Sequence, residues 1–518
     1  MIRKCNAWLI VAITLFLVLR IPLITHQSGI QDEHWFAVPG YTLWEEGVPR
    51  IPYVPSRTRD SFFENADVCL MTLPPGLALA QAPFFAVFQA GYPTARLPSL
   101  LAALATIVVT YSLVRRFGGD RSIAGFASLV VALSRPLLFA GITSRPDALC
   151  ILFGLLCADR IVKVAHQARA ESEDQMSETR SKPLPDNQLR SVSVAGVFCG
   201  FAALCHPLGI VFAMQSALVI LIIWGGFRKV LRRWCVFAIG SVLGISPWLP
   251  YIVMFPYEFR AQFVTNVLDR AGPGLFSRLT WPIPSLIHHS RILYELLGSL
   301  QLTLSGIALV LGTLLVFRSR RNSVPVRWLL PLNAWAAVYL TATAAGLHPI
   351  QLYWAYAFVW SIVLGAIALG ELSEVIRRRL SPASFKLTQF AFCIGVLVLL
   401  LPGGGLRSWH VYVTHWNDPR YNASRFIANV LSEIPEDALC YSDLSYVFDI
   451  YLSGRPTRLC AERELFWGDD AIEYDYLLLS WEGRDADWAQ QYDAVKFRSF
   501  GSDATPQHCY VDVFRHEE

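Results

Sequence analysis

The sequence predicts a polytopic α-helical membrane protein of about eleven spans, with a small α/β domain at its C-terminal end outside the membrane. Three observations predict it. Of 518 residues, 54% are hydrophobic and only 16% charged, where a soluble chain would be about a quarter charged. Apolar runs long enough to cross a bilayer, roughly 17–25 residues each, recur over most of the first 402 residues. After Pro402 the composition turns polar, rich in Asp, Glu, Arg and Tyr.

The candidate spans lie near 7–24, 96–114, 122–141, 148–165, 191–206, 208–226, 234–252, 296–317, 327–345, 352–371 and 387–402. The start, "MIRKCNAWLIVAITLFLVLRIPLIT", has no small-x-small cleavage site and is read as an uncleaved first helix. The net charge of +4 says little; the placement of Lys and Arg says more. With the N-terminus in the cytoplasm, every second loop is basic: "RRFGGDR" at 115–121, the segment 160–190, "FRKVLRR" at 227–233, "RSRRNSVPVR" at 318–327 and "RRRLSPASFK" at 377–386. The apolar run 70–88 would reverse that pattern if it crossed, so it is expected to lie along the outer surface, within one external loop over 25–95. The polar stretch 166–188 reads as a flexible cytoplasmic linker.

The first domain is thus placed at 1–402 and the second at 403–518. In the second, "NASRFIANVLSEI" has helical spacing, "ALCYS", "YDYLLLS", "AVKFRSF" and "CYVDVF" read as strands, and "DADWAQQY" as a short helix. Of eleven cysteines, Cys69, Cys440, Cys460 and Cys509 fall outside, where thiols pair. Cys440 with Cys460 is the pair first expected to bridge. No Cys/His spacing matches a zinc site, and His288-His289 read as a solvated pair in an external loop.

Four charged groups fall on the outer side. They are Asp32-Glu33; Arg96 in "ARLPSL", after "LPPGLALAQAPFF"; Arg145 and Asp147 in "SRPDAL"; and the loop "EFRAQFVTNVLDR" ending at Arg270. A carboxylate there takes a proton from an attacking hydroxyl or amine, an effect worth about 10²–10⁴-fold. Arginines hold a phosphate by bidentate hydrogen bonds and stabilise charge as it leaves. A lipid phosphate carrying a sugar needs both. The plainer alternative is that these groups are solvated or form weak surface pairs, and that Arg96 only anchors its helix at the interface. Convergence on one side favours the chemical reading.

In order and spacing, these motifs resemble the GT-C glycosyltransferases of the protein O-mannosyltransferase and lipid A aminoarabinose transferase type, and the related Rgt-type transferases. Their pattern is a first span, a loop with "DE" before an aromatic and then "EG", a Pro-Pro interfacial helix, an "RLPS" helix start and a later "R-x-D". This chain has "DEHWF", "EEG", "LPPGLALAQAPFF", "ARLPSLLAALATIVVTYSLVRRFGG" and "SRPDALCILF", within roughly residues 10–160. Weaker continuations are "SPWLPYI", "FVTNVLDR" and "FDIYLSGRPTRL".

The resemblance implies a GT-C fold and transfer of a sugar, with inversion, from a polyprenyl-phosphate donor to a lipid, glycan or protein acceptor on the extracytoplasmic face. It implies Asp32 as general base or acceptor-orienting group, Glu33 assisting, and Asp147 as the second acid. Family members carry Lys or His just before Pro-Pro to meet the lipid phosphate; this chain has Leu73. Phosphate binding is then expected of Arg96, Arg145, Arg57 or Arg59. His206, Arg270 and His348, at outer turns, are candidate substrate contacts. If Asp32 opens a short helix, the helix dipole favours its charged form. The implied location is a bacterial inner membrane, with the C-terminal domain outside. No cofactor is implied, a divalent metal is left open, and no nucleic-acid partner is expected. No P-loop is present. A lipid or glycan transporter is the alternative; it predicts ionisable residues within spans and an internal repeat.

Overall fold

The computed structural model describes residues 7–30, 32–59, 61–175, 186–224, 226–269, 275–318, 327–344, 353–460, 473–485 and 488–516. Helix α1 (Ala7–His26) is followed by the loop expected to be external, called the outer loop below, which carries α2 (Glu33–Phe36), α3 (Val38–Glu46) and α4 (Gly76–Phe85). Then come α5 (Tyr92–Arg116), α6 (Arg121–Leu133), α7 (Arg135–Ile142), α8 (Asp147–Gln175), α9 (Asp186–Cys205), α10 (Gly209–Ile223) and α11 (Phe227–Ile245). Four further long helices are Ser299–Arg318, Leu329–Ala344, Trp354–Arg377 and Pro382–Leu400.

The described part of each expected span is largely helical, with 122–141 divided between α6 and α7, but not every helix qualifies as a span. Among the described residues, seven are long and apolar enough to cross a membrane, or eight if α6 and α7, bent by 62°, count as one. Helix α10 has 15 residues and Leu329–Ala344 has 16. Helix α8 carries Asp159, Arg160 and Lys163 in its apolar stretch. The α4 helix, at 10 residues, is too short to cross. The expected linker is helical as far as Gln175 and again from Asp186; what lies between is outside the described residues.

Helices α9 and α11 approach until their backbones touch. A Cβ on Gly196 would lie 2.2 Å from the Phe237 carbonyl oxygen, one on Gly200 2.2 Å from that of Ser241, and one on Gly240 2.3 Å from that of Ser193. This is the small-x-x-x-small packing of membrane helices, which gains dispersion contact where there is no hydrophobic gain to be had.

The C-terminal part forms a five-stranded sheet in the order β2-β1-β3-β5-β4, with β1 (Cys440–Ser442), β2 (Thr457–Leu459), β3 (Tyr476–Leu479), β4 (Ala494–Gly501) and β5 (Tyr510–His516). Strand β1 runs parallel to both β2 and β3, while β5 is antiparallel to β3 and β4. The expected helix is Ala423–Leu431, capped by Asn422, and the second short one is Trp488–Gln491. Strand β2 and the helix Val447–Leu452 were not expected. Cys440, Tyr476, Leu478, Val511 and Val513 pack with Ala423–Leu431. Tyr441, Leu477 and Leu479 share a core with Ile51, Tyr53, Val54 and Phe63 of the outer loop.

The Cys440–Cys460 bridge does not form; both thiols are free and buried. Cys440 pairs in register with Thr457, three residues before Cys460. Three strand steps are about 10 Å, beyond the Cα separation of about 7 Å that a disulfide tolerates. His288 and His289 lie inside the helix Ile283–Leu297, with His289 buried against Trp354 at 5.6 Å between ring centroids.

Arg20 is a buried charge that braces broken helices in the bundle. Arg20 on α1 is fully buried, and its guanidinium donates to the Gly404 carbonyl at 2.6 Å and the Ala132 carbonyl at 2.9 Å. Both acceptors sit at broken helices. Pro136 lacks the N–H that would have bonded to Ala132 four residues back. At Gly405 the backbone turns left-handed, φ +87°. Arg20 therefore satisfies carbonyls that neither helix nor lipid can satisfy. Arg20→Met should cost about 3 kcal/mol or more, because charge-assisted bonds to two buried carbonyls are lost. The thermal midpoint of the detergent-solubilised protein reads this out, and an unchanged midpoint would refute the stapling role.

Candidate functional site

The adjacent acids Asp32 and Glu33 part at the start of α2. Glu33 turns inward and is fully buried against Arg96, near the N-terminal end of α5. Arg96 Nε donates to Glu33 Oε1 at 2.8 Å and Nη2 to Oε2 at 2.6 Å. The rest of the guanidinium donates to the carbonyls of Ile24, Gln27 and Ser28 at 3.0, 2.8 and 2.7 Å. Glu33 also accepts from the N–H of Ile30 at 3.0 Å and of Ser144 at 2.5 Å. Arg96 thus has its guanidinium committed to protein acceptors on both sides, without solvent exposure.

Asp32 turns outward and keeps about a third of its side chain exposed, 34%. It occupies the N-cap of α2, where its carbonyl accepts from Trp35 and Phe36 but its side chain makes no cap hydrogen bond. The helix has only four residues, so its dipole is slight, and the carboxylate instead meets the guanidinium of Arg145. Arg145 Nε donates to Asp147 Oδ2 at 2.9 Å. Arg145 thus bridges both acids, lies 5.5 Å above the Phe36 ring and is itself buried. Ser99 on α5 holds the Arg145 carbonyl at 2.9 Å, and Gln81 on α4 holds the Ser144 hydroxyl at 2.7 Å. The 143–147 turn is therefore fastened to α4, α5 and α2 together. Asp147 Oδ1 is buried and accepts no hydrogen bond.

His206 lies in the turn between α9 and α10 and is influenced by both Asp147 and Arg145. Burial pushes its pKa down to about 4, with Asp147 opposing and Arg145 reinforcing. Its Nδ1 accepts the Leu208 N–H at 3.0 Å, which leaves the proton of the neutral ring on Nε2. That nitrogen faces the Tyr353 hydroxyl at 3.3 Å. If Nε2–H donates to the Tyr353 oxygen, the hydroxyl hydrogen is free to be donated elsewhere. Burial raises the Tyr353 pKa, with the charge of Asp147 adding to it, so the phenol keeps that hydrogen.

The structure thus brings together Asp32, Arg145 and Asp147, with His206 beside them. It separates Glu33 and Arg96 into a closed pair, and pairs Arg57 with Asp67 at 2.6 and 2.9 Å. Arg59 is exposed on the same outer loop. Leu73 shares the walls of a small apolar cavity, about 30 Å³, with Phe36, Pro75 and Pro146. Arg270 and His348 lie outside the described residues. Tyr353 was missed by sequence reasoning, although it follows the His348-Pro349 turn that was singled out. Among the described residues no three His, Cys, Asp or Glu side chains group closely enough to hold a metal.

Residues 72–171, which contain α4, α5 and the whole 143–147 turn, match the family model of dolichyl-phosphate-mannose-protein mannosyltransferases. The chain superposes on ArnT from Cupriavidus metallidurans bound to undecaprenyl phosphate with a TM-score of 0.59 and 14% identity, over 99% of this chain and 98% of that one. This is a GT-C fold. The GT-C likeness extends to the oligosaccharyltransferase AglB from Archaeoglobus fulgidus, in complex with an inhibitory peptide and a dolichol-phosphate: TM-score 0.52, 11% identity, 98% of this chain and 74% of that one. It extends also to the arabinofuranosyltransferase AftD from Mycobacteria, with TM-score 0.51 and 12% identity, over 99% of this chain and 40% of that one. No sequence among the curated proteins matches this chain significantly.

Two outcomes follow from the geometry. Glu33→Gln leaves Arg96 buried without its counter-charge and should destabilise by about 3–5 kcal/mol, whereas Arg57→Ala, in a half-exposed pair, should change stability by about 1 kcal/mol or less. Comparing their thermal midpoints checks this. His206 is held neutral in the fold, so its contribution is intact above an unfolded-state pKa of about 6.5 and is lost as the pH falls toward about 4. Midpoints taken between those values should fall more steeply for the wild type than for His206→Gln.

Proposed function

We propose that this protein is a membrane glycosyltransferase that moves a sugar from a polyprenyl-phosphate donor to an acceptor on the extracytoplasmic face, with inversion at the anomeric carbon. The observation that carries the reading is the Asp32–Arg145–Asp147 bridge. It joins an accessible carboxylate to a buried cation on elements that adjoin the outer ends of α1, α5 and α8. The family match over the same turn and the lipid phosphate bound to ArnT support the donor class.

In the reaction we infer, the acceptor hydroxyl or amine attacks the anomeric carbon and its proton passes to Asp32. The bond from that carbon to the phosphate oxygen breaks, and its electron pair leaves with the polyprenyl phosphate. Arg145 holds Asp32 in place and supplies positive charge near the departing phosphate. Asp147 orients Arg145 from the buried side. Tyr353, with its hydroxyl hydrogen freed by His206, donates to a phosphate oxygen. Leu73 offers no charge where other family members are basic, so the phosphate relies on Arg145, Tyr353 and the outer-loop arginines Arg57 and Arg59. Glu33 and Arg96, given separate roles from sequence, act together as structural support. The bacterial inner membrane and an outward C-terminal region belong to the same proposal.

Asp32→Asn should lower transfer by at least about 100-fold with the thermal midpoint unchanged, and Tyr353→Phe by about 10-fold, close to the loss of one neutral hydrogen bond. Mass spectrometry of lipids compares wild-type cells with a deletion strain and a strain carrying Asp32→Asn. Both defective strains should accumulate the same polyprenyl-phosphate sugar. Wild-type lipids in the Asp32→Asn strain would remove that residue from the chemistry.

A further inference from the structure

In an open α/β sheet the ligand crevice lies at the carboxyl ends of parallel strands, where the strand order reverses. Here the order β2-β1-β3 puts that point between β1 and β3. The chain leaving β1 at Asp443 meets the chain leaving β3 at Ser480. Asp443 is fully buried, and its carboxylate accepts from Ser480 N–H at 2.5 Å, Ser480 Oγ at 2.6 Å, Gly483 N–H at 3.3 Å and Ser445 N–H at 3.2 Å. One side chain therefore organises both strand ends.

The first outer loop seats against those ends. The Ser445 carbonyl accepts the Gly29 N–H at 2.9 Å, and the Leu444 carbonyl accepts the Tyr92 hydroxyl at 2.9 Å. At the end of β2, the Leu459 N–H donates to the Tyr53 carbonyl at 2.9 Å. Gly29 has no room for a side chain: a Cβ would lie 2.6 Å from the Leu444 oxygen and 2.6 Å from Tyr92 Cζ. On its other side Arg96 holds Gln27 and Ser28, and Glu33 holds Ile30. The backbone from 27 to 30 is tied at every residue, two positions before Asp32.

We propose that Asp443, far along the chain from the membrane helices, is a positioning residue for the transfer: through Ser445 and Leu444 it fixes the backbone at Gly29, and with it the place from which Asp32 meets the acceptor. This rests on the role given to Asp32 above. The edge of the sheet that would ordinarily hold a ligand holds the catalytic loop. The C-terminal sheet is then a working part of the active site, not a detachable acceptor-binding module. Without the Asp443 carboxylate, four donors in a buried turn lose their acceptor, and the turn cannot keep Ser445 and Leu444 aimed at the loop.

The test uses full-length protein in nanodiscs, with the polyprenyl-phosphate sugar fraction from the deletion strain as donor and membranes of that strain as acceptor. Hydrogen exchange over residues 26–34 is followed alongside kcat and donor KM. Asp443→Ala should raise exchange in that segment, leave α8 and α9 protected, and lower kcat about 10-fold with KM unchanged. Asp443→Asn, which keeps one acceptor oxygen, should fall between it and the wild type. Tyr92→Phe deletes one bond to the same turn and should move both readouts in the same direction by less; it carries the test if Asp443→Ala does not fold. Unchanged exchange at 26–34, loosened exchange with wild-type kcat, or a change confined to KM would each overturn the inference. A wild type inactive in every assay defeats the transferase reading itself, whereas an active wild type with unmoved exchange in the variants defeats this inference alone.

Discussion

The buried pair of Glu33 and Arg96 is the constraint on which the region around α2 depends. Two charges removed from water each cost several kcal/mol, and their attraction offsets that only when the remaining donors and acceptors are also satisfied. That condition is met by Ile24, Gln27, Ser28, Ile30 and Ser144, drawn from the end of α1, the start of the loop and the turn before α8. The pair therefore does more than neutralise itself. It brings residues 24–33, Arg96 and Ser144, distant from one another in sequence, to one point, and it is worth keeping only while all three are there. Asp32, one residue away, inherits a fixed direction from this arrangement while staying accessible itself.

Much of this was legible in the sequence, and the limits are instructive. The helices of the membrane part follow from apolar length, and four strands of the sheet follow from β-branched and aromatic alternation. Asp32, Arg145 and Asp147 stood out because charge is scarce in such a chain. The roles of Glu33 and Arg96 did not, because neighbouring acids look alike in one dimension and only burial separates them. Arg96 at a helix end reads equally as an interfacial anchor or a phosphate ligand; the direction of its side chain, set by an acid 63 positions earlier, decides. The glycines of α9 and α11 at four-residue spacing could have been read as a helix contact and were not. Strand β2, with Arg458 between Thr457 and Leu459, carries too little apolar pattern to be found. Cys440 and Cys460 looked like partners because proximity in sequence says nothing about strand register.

Arg20 makes a different point about charge in a membrane. An ionisable residue inside a span usually suggests a transport pathway. Here its acceptors are two carbonyls released by Pro136 and by the turn at Gly405, so the charge serves backbone that lipid could not solvate. The break it stabilises starts α7, and α7 leads directly into the 143–147 turn that carries Arg145 and Asp147. The other break precedes the helix Arg407–Thr414 that leaves the bundle for the sheet. One side chain on α1 thus secures the approach to the buried half of the site and the connection to the C-terminal sheet.

These restraints explain why the acid proposed as catalytic lies beside such a short helix. A long helix would fix Asp32 by its own ladder and spend the outward face on regular backbone. Four residues cannot stabilise themselves, since helix nucleation is unfavourable over so short a length, and α2 must be held from outside. It is held through Glu33 from within the fold and through Gly29 from the sheet side. The Asp32 carboxylate stays partly exposed, with Arg145 as its partner. In the proposed reaction, an acceptor arriving from water and a donor arriving from the bilayer meet where the chain is neither membrane helix nor sheet. The short helix, fastened to both, is what such a meeting point requires.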